Sequence, residues 1–160
     1  LAARGQYRLF LDMDLSTPIE EMEKLTQEIG KYDCLIGTRK AKGAKVVVHQ
    51  PWLREHLGKG FTFLSQIMLG IPVSDFTCGF KCFTAEAAEK IFSQSRIYRW
   101  GFDSEIFFLA FKYHYKVKEI PVTWTDDRRT RVKFPQDLIT SLSELIHIRY
   151  YDLTSLYKKI

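Results

Sequence analysis

The sequence predicts an α/β domain, and three observations carry that prediction. An apolar run from Tyr7 to Leu11 ends in the acids Asp12 and Asp14 and is followed by a helical pattern. Further short apolar runs alternate with amphipathic segments along the rest of the chain. The 160 residues, 46% of them apolar, are enough for one domain with a hydrophobic core.

The two acids at the end of the first predicted strand are the strongest functional signal. Asp12 and Asp14 are separated by one residue, so both project from the same side of an extended backbone and can face one hard cation such as Mg²⁺ or Mn²⁺. A cation there would hold a diphosphate. The alternative is a turn with two solvated acids. Because ligands of α/β sheets bind at the carboxyl ends of strands, we favour the metal site.

Helix-capping residues and the spacing of apolar residues predict the next elements. The segment from Ser16 to Pro18 is expected to cap and begin a helix, whose apolar residues recur at helical spacing up to Gly30. A second strand, 32–36, leads to Arg39, a candidate phosphate contact at the same sheet edge. Residues 40–50 are basic and predict a loop.

Residues 51–69 predict a long helix. Its surplus of aromatic and apolar side chains either packs on the sheet or leaves one face open for an acyl chain. Residues 73–83 place Asp75 just before a glycine-containing turn and an apolar strand, hence near the mouth of that strand. Thr84 is expected to cap the helix that follows.

The remaining predicted elements are two helices and a strand. The helix from Gly101 to Lys112 carries Asp103 and Glu105 in its first turn, where acids also suit the helix dipole. Residues 117–124 predict one alternating strand, and Pro135 begins a long amphipathic helix. The residues of that helix expected to face inward are Leu138, Leu142, Leu145, Ile146 and Ile148.

The charge balance favours anionic partners, since 24 basic residues stand against 19 acidic ones, a net charge of +5. Residues 128–133 form a dense basic group, either a solvated loop or an anion contact. The basic and aromatic tail within 135–160 is either a plain helix end or a segment that lies on an anionic membrane surface. No run of roughly 18 apolar residues predicts a membrane span. The three cysteines, Cys34, Cys78 and Cys82, indicate a reducing compartment.

An ordered series of motifs resembles the family 2 glycosyltransferases that transfer a sugar to a polyprenyl phosphate, namely the dolichyl-phosphate glucosyltransferases and dolichol-phosphate mannose synthases. The motifs lie at residues 9–18 (LFLDMDLSTP), 36–39 (IGTR), 60–69 and 74–81 (SDFTCGFK). Residues 99–105 and 119–125 are closer to the glucosyl branch than to the mannosyl branch.

The resemblance implies a GT-A fold, a sheet flanked by helices, in which Asp12 and Asp14 bind Mg²⁺ or Mn²⁺ and thereby the nucleotide diphosphate. Residues 1–160 would be the C-terminal two-thirds of a single catalytic domain whose N-terminal nucleotide-binding strands are missing. Residues 135–160 would form its C-terminal amphipathic helix and basic tail. The chain alone is therefore expected to be an incomplete enzyme.

The implied activity is inverting, metal-dependent transfer of a hexose, glucose favoured over mannose, to a polyprenyl phosphate of the dolichyl type. The donor would be UDP-glucose or GDP-mannose. Such a protein is expected at the cytoplasmic face of a membrane, as a peripheral protein, with no nucleic-acid partner.

The resemblance also assigns roles to charged residues. Asp75 matches a carboxylate proposed as base or as positioner of the acceptor, with Asp103 and Glu105 as rivals for the catalytic role. The phosphate contacts expected are Arg39 for the donor, and Arg54, Arg131 and Lys81 for the acceptor phosphate. Guanidinium groups suit phosphate oxygens because they bind them bidentately.

Two other classes of function remain open. In a haloacid-dehalogenase-like phosphatase, Asp12 would be phosphorylated, Asp14 would be the acid/base, and Asp126 with Asp127 would supply the later acidic pair. A non-enzymatic module would bind lipid headgroups or nucleic acid through residues 128–133 and the tail.

Overall fold

A computed structural model describes residues 2–127 and 135–158 of the chain. The described strands are β1 (Tyr7–Leu11), β2 (Cys34–Thr38), β3 (Lys45–Val48), β4 (Phe80–Thr84), β5 (Val117–Pro121) and β6 (Thr123–Thr125). The α-helices are α1 (Met22–Thr26), α2 (Trp52–Leu69), α3 (Ala85–Gln94), α4 (Phe102–Lys112) and α5 (Gln136–Leu153), and a 3₁₀ turn at Ile19–Glu21 precedes α1.

Four of the strands form a mixed sheet in the order β1-β4-β2-β5. Strand β4 runs antiparallel to both β1 and β2, whereas β2 and β5 are parallel. Strands β3 and β6 pair separately in a short parallel sheet. The carboxyl ends of β1, β2 and β5 therefore meet the amino end of β4 at one edge of the main sheet, which we call the site edge.

Apolar side chains cover both faces of the main sheet. Because side chains alternate across a strand, Phe83 of β4 packs into a large cluster with residues of α3, α4 and α5, while Phe80 packs into a smaller cluster on the other face. Leu25 of α1 belongs to the smaller cluster and is fully buried. The expected α/β fold with a sheet flanked by helices is confirmed, and it is consistent with a GT-A-like fold.

Several local predictions are confirmed. Strand β1 has the predicted bounds, α2 begins one residue after Pro51, and α5 begins one residue after Pro135. The Thr84 hydroxyl caps α3 by accepting a hydrogen bond from the Ala87 backbone N–H at 3.2 Å. The cysteines Cys34, Cys78 and Cys82 are all buried free thiols.

Other predictions were wrong, each for a local reason. Part of the basic segment 40–50 forms β3, whose short alternating pattern gave a weak signal. The strand predicted at 117–124 is two strands in different sheets, because the chain changes partner at Val122: its N–H donates to Thr38 of β2 and its carbonyl accepts from Lys45 of β3. The helix expected up to Gly30 ends at Thr26.

The two long helices leave apolar side chains exposed. Ile146 was expected to face inward but is 59% exposed, since Leu145 and Ile148 occupy the inward face of α5. On α2, Trp52 and Phe63 are exposed, which fits the alternative of an open face. Within the described residues, no helix is long and apolar enough to cross a bilayer.

Candidate functional site

The acids predicted to bind a cation lie at the site edge. The backbone N–H of Asp12 donates to the Gly79 carbonyl at 2.9 Å and continues the pairing of β1 with β4. One turn further, the Ser16 N–H donates to Oδ1 of Asp14 at 2.9 Å, and Leu15 between them has a positive φ of 51°. This tight turn fixes both acids immediately beyond the strand.

Gly79 provides the space for the Asp12 carboxylate. A Cβ built on Gly79 would fall inside the carboxyl group of Asp12 and would lie 2.6 Å even from its farther oxygen. No other residue type can stand at position 79 without displacing Asp12. The glycine in this turn therefore leaves the space that the Asp12 carboxylate occupies, and a side chain there would make that carboxylate rotate away.

The environment of Asp12 disfavours its ionised form. Loss of hydration against the neighbouring turn is the largest cause and raises the pKa of Asp12. The positive charge of Lys81 lowers it, while the negative charges of Asp103 and Asp14 raise it further. The positive charge of Arg39 also lowers the pKa of Asp12. Two other carboxylates thus act on Asp12, and an added cation would relieve their repulsion.

Lys81 does not lie where an acceptor phosphate would meet it. Its side chain is fully buried, and Nζ donates to the Cys78 carbonyl at 2.6 Å and to Oδ1 of Asp103 at 2.8 Å. The Nζ atom also lies 5.4 Å from the ring centroids of Phe10 and Phe107. The expected acceptor contact does not fit this geometry; Lys81 is an internal counter-charge beneath the acids.

Asp75 and Arg39 form a buried ion pair at the same edge. Nε of Arg39 donates to Oδ2 of Asp75 at 2.7 Å, and Nη2 donates to Oδ1 at 2.6 Å. The Arg39 backbone N–H adds a third bond to Oδ2 at 2.9 Å. The guanidinium also lies 4.9 Å from the Trp124 ring centroid, and Nη2 donates to Thr77 at 2.8 Å.

This pairing bears on the two roles expected for Asp75. Burial alone would raise its pKa, but the hydrogen bonds and charge of Arg39 outweigh burial and hold the pKa below its usual value. A carboxylate with a lowered pKa and a bidentate partner is a poor proton acceptor. The geometry favours the positioning role of Asp75 over the role of base.

Arg54 lies nearer the surface, on α2. Its Nη1 is 3.5 Å from Oδ1 of Asp126, whose side chain is 2% exposed, while the Arg54 side chain is 37% exposed. The Oδ2 atom of Asp126 is buried and has no hydrogen-bond partner among the described residues. Arg54 is therefore oriented from one side and open on the other. Arg131, the second arginine expected at the acceptor phosphate, lies outside the described residues, as does the whole basic group 128–133.

Glu105 is not part of this site. Its buried carboxylate accepts hydrogen bonds from the Ser95 hydroxyl, from the backbone N–H groups of Arg96 and Ile97, both at 2.9 Å, and from the Tyr157 hydroxyl at 2.7 Å. Those bonds tie the segment before α4 to the carboxyl-terminal tail. This geometry does not favour the catalytic role considered for Glu105, whereas Asp103, two residues earlier, does reach the site.

Sequence reasoning assigned no role to Glu119, and considered Asp126 only in the phosphatase alternative. Each is a polar residue in or just after a strand, which is a signal that the sequence carries. Glu119 lies in β5, which ends at the site edge, and Asp126 directly follows β6 of the short second sheet. The sequence does not indicate which residue each of them contacts. Glu119, for example, contacts Ser74, which lies 45 residues away along the chain.

The residues present fit a divalent cation completed by a ligand. In the described part of the chain, no group of three or more His, Cys, Asp or Glu side chains is arranged to hold a metal ion by itself. Mg²⁺ is usually bound by one or two carboxylates together with substrate phosphates and water. Asp12, in the cradle that Gly79 leaves, and Asp14 supply hard oxygen ligands of that kind.

Comparison with known proteins gives a consistent family of relatives. Dolichyl-phosphate beta-glucosyltransferases of Trichomonas vaginalis and Dictyostelium discoideum are 34% and 32% identical to the chain over 158 and 164 residues, which is 94% and 99% of the chain. The enzyme of Saccharomyces cerevisiae is 30% identical over 171 residues. The chain is similar to dolichyl-phosphate beta-glucosyltransferases. Its matches cover 46%, 50% and 51% of these proteins, so the chain spans about half their length.

These relatives confirm the resemblance to polyprenyl-phosphate glycosyltransferases and favour its glucosyl branch over its mannosyl branch. No family model matches the chain. The division of the chain into one catalytic domain with a C-terminal tail stays a prediction.

The cradle at Gly79 can be tested by adding a methyl group. Gly79→Ala must push the Asp12 carboxylate out of its place, so we expect Mn²⁺ binding in the presence of UDP-glucose to weaken by about tenfold or more. The free energy of unfolding should fall by less than about 1 kcal/mol, because the exposed Asp12 side chain can rotate away. Gly58→Ala is the matched control, because a Cβ at Gly58 in α2 meets nothing within 4 Å. That control should stabilise the protein by roughly 0.5–1 kcal/mol. Urea unfolding measures the stability of both variants and a Mn²⁺ titration measures binding, and an unchanged Mn²⁺ affinity of Gly79→Ala would refute the cradle.

The buried ion pair has a pH signature. Because the pKa of Asp75 in the folded protein lies below its ordinary 3.8, its contribution to stability is complete above pH 3.8 and is lost as the pH falls through the lower folded value. Asp75→Asn should cost about 3–5 kcal/mol at pH 7. The difference from the parent protein should shrink below pH 3.8.

Urea unfolding between pH 7 and pH 2.5 measures this difference. Glu55→Gln, which removes a carboxylate paired with Lys59 on the surface, is the control and should change stability little. A cost for Asp75→Asn that does not vary with pH would contradict the proposed ionised pair.

Proposed function

We propose that this chain is part of a glycosyltransferase that moves glucose from a nucleotide sugar to a polyprenyl phosphate of the dolichyl type. The observation that carries the proposal is the gathering of Asp12, Asp14 and the Arg39–Asp75 pair at one sheet edge, in a chain similar to dolichyl-phosphate beta-glucosyltransferases. The names of the relatives support glycosyl transfer over the phosphatase and the non-enzymatic alternatives.

In this proposal, Asp12 and Asp14 hold Mg²⁺ or Mn²⁺ against the diphosphate of the donor. The cation, when bound, neutralises negative charge that develops on the departing nucleoside diphosphate. The carboxylates of Asp12 and Asp14 are supported for this role by their position directly after β1 and by the space that Gly79 leaves. UDP-glucose is the proposed donor, because the relatives are glucosyltransferases.

The acceptor is itself an anion at neutral pH, so it needs orientation and charge compensation more than deprotonation. Arg54, oriented by Asp126 and open to solvent on its other side, is suited to bind the acceptor phosphate. Arg39, held by Asp75, presents a fixed guanidinium to a phosphate at the site edge. A low pKa keeps Asp75 ionised, so it orients Arg39 throughout the reaction.

A single displacement by the acceptor phosphate inverts the anomeric carbon. From an α-linked nucleotide sugar it yields a β-linked product, which agrees with the beta in the names of the relatives. The site needs only to hold the attacking phosphate oxygen in line with the leaving diphosphate.

Peripheral association with the cytoplasmic face of a membrane is part of the proposal. Its support is the exposed apolar surface of the two long helices, since a polyprenyl chain must leave water near the site. The exposed side chains are Trp52, Phe63 and Ile67 of α2 and Ile139, Ile146 and Tyr150 of α5.

The role of Asp14 can be tested in the full-length protein. With Mg²⁺ or Mn²⁺, labelled UDP-glucose and a polyprenyl phosphate, Asp14→Asn should lose at least about 100-fold in kcat, because one charged ligand of the cation becomes neutral. Glu20→Gln, an exposed acid in the turn before α1, is the control. Unchanged turnover of Asp14→Asn would remove Asp14 from the site, and an acyl phosphate trapped on Asp12 would support the phosphatase alternative.

The role of Arg54 can be separated from that of the donor site. Arg54→Ala should raise the apparent KM for polyprenyl phosphate by roughly tenfold or more, and the KM for the nucleotide sugar by much less, since a charged hydrogen-bond donor to the acceptor is lost. Lys59→Ala, on an exposed turn of the same helix, is the control. A larger rise in the donor KM would show that the acceptor phosphate binds elsewhere.

A further inference from the structure

Glu119 is a charged residue for which the site described so far has no use. It lies on β5 beside β2, in register with Ile36, so its side chain is carried by the parallel pair of strands that ends at the site edge. Its carboxylate points at the turn that contains Ser74 and Asp75, across 45 residues of sequence. Such a long-range contact from a strand interior is a rigid one.

The Glu119 carboxylate binds this turn through several donors. The backbone N–H of Ser74 donates to Oε1 at 3.0 Å and to Oε2 at 3.1 Å, and the Ser74 hydroxyl donates to Oε1 at 2.8 Å. The Asp75 backbone N–H donates to Oε1 at 3.1 Å. Hydrogen bonds to an ionised acceptor are stronger than neutral ones. The backbone on both sides of the Ser74–Asp75 peptide is therefore fixed by one side chain.

Fixing that peptide fixes the ion pair. Asp75 is fully buried, and both of its carboxylate oxygens accept hydrogen bonds from Arg39. The position of the Asp75 backbone therefore determines the position of the guanidinium. In the described part of the chain, Nε and Nη2 of Arg39 have acceptors and Nη1 has none. The contacts from Glu119 to Asp75 to Arg39 thus hold the Nε and Nη2 edge of the guanidinium, and Nη1 is left without an acceptor among the described residues.

We infer that Glu119 is a positioning residue of the glycosyl transfer: it holds the Ser74–Asp75 turn so that Asp75 aims the Nη1 group of Arg39 at a substrate phosphate. The inference rests on the proposed function for the identity of that phosphate. Its structural part, the dependence of the Arg39–Asp75 pair on Glu119, can be tested without any turnover.

The first experiment observes Arg39 directly. In a nitrogen–proton correlation spectrum of the ¹⁵N-labelled chain, the Arg39 Nε–H signal is assigned by its loss in Arg39→Lys, and its exchange with water is measured. We expect slow exchange in the parent chain and at least about tenfold faster exchange in Glu119→Gln, because a glutamine presents an N–H group to backbone donors. Lys118→Gln, the neighbouring strand position on the surface, is the control and should leave the signal unchanged.

Ser74→Ala keeps the test decisive if Glu119→Gln folds poorly. It removes one hydrogen bond to Glu119 and leaves the carboxylate in place, so exchange at Arg39 should quicken by a smaller factor in a folded protein. If exchange at Arg39 is unchanged in every folded variant at Glu119 or Ser74, the positioning role is overturned.

The second experiment is a double-mutant cycle in the full-length protein with UDP-glucose and a polyprenyl phosphate. Arg39→Lys should raise the KM of one of the two substrates, and Glu119→Gln should raise the KM of the same substrate by about tenfold. The KM of the double variant should be no higher than that of Arg39→Lys alone, because both changes remove the same interaction. Additive effects, or a change in kcat alone, would overturn the inference.

The two experiments keep the inference apart from the proposed function. If the full-length protein transfers no glucose while exchange at Arg39 depends on Glu119, the proposed function fails and the positioning contact stands. If transfer occurs and the exchange rate at Arg39 does not depend on Glu119, the proposed function stands and the positioning role fails.

Discussion

The buried ion pair between Arg39 and Asp75 is the interaction on which the candidate site depends. Two charges are removed from water there, and removing either one alone would leave the other buried and uncompensated. The pair joins the end of β2 to the turn before β4, two segments that are 36 residues apart in sequence. The site edge is therefore held together in part by this electrostatic contact between two segments distant in sequence.

Charge is concentrated at this edge and is also compensated there. Burial raises the pKa of Asp12, the negative charges of Asp14 and Asp103 raise it further, and the positive charge of Lys81 within the sheet offsets part of that rise. The aromatic rings of Phe10 and Phe107 beside Lys81 favour the cation further. The buried Lys81 stabilises the neighbouring acids in the absence of a bound ligand. Its own ammonium group is held inside the core and does not contact a ligand.

The sequence predicted the residues whose role is local. Asp12 and Asp14 follow an apolar strand directly, and Asp75 precedes one, so the alternation of apolar and polar residues was enough to place them at strand ends. Lys81 was misplaced because the alternation within β4 does not distinguish an inward lysine, paired with Asp103, from one that reaches solvent. The two strands within 117–124 were missed for a similar reason, since a two-stranded sheet on the side of the main one leaves little pattern.

Saturation of hydrogen bonds separates the structural acids from the functional ones. Glu105 accepts bonds from four different residues and has no capacity left for a ligand, although it lies two positions from Asp103 in the same helical turn. Asp12 and Asp14 are exposed, and the side-chain bond found for the pair is one from Ser16 to Asp14. Since a buried carboxylate must be satisfied internally and an exposed one need not be, the unsatisfied acids are those that a cation can use. Glu119 belongs to the saturated class by this measure, and that is why its effect on a substrate must pass through Asp75 and Arg39.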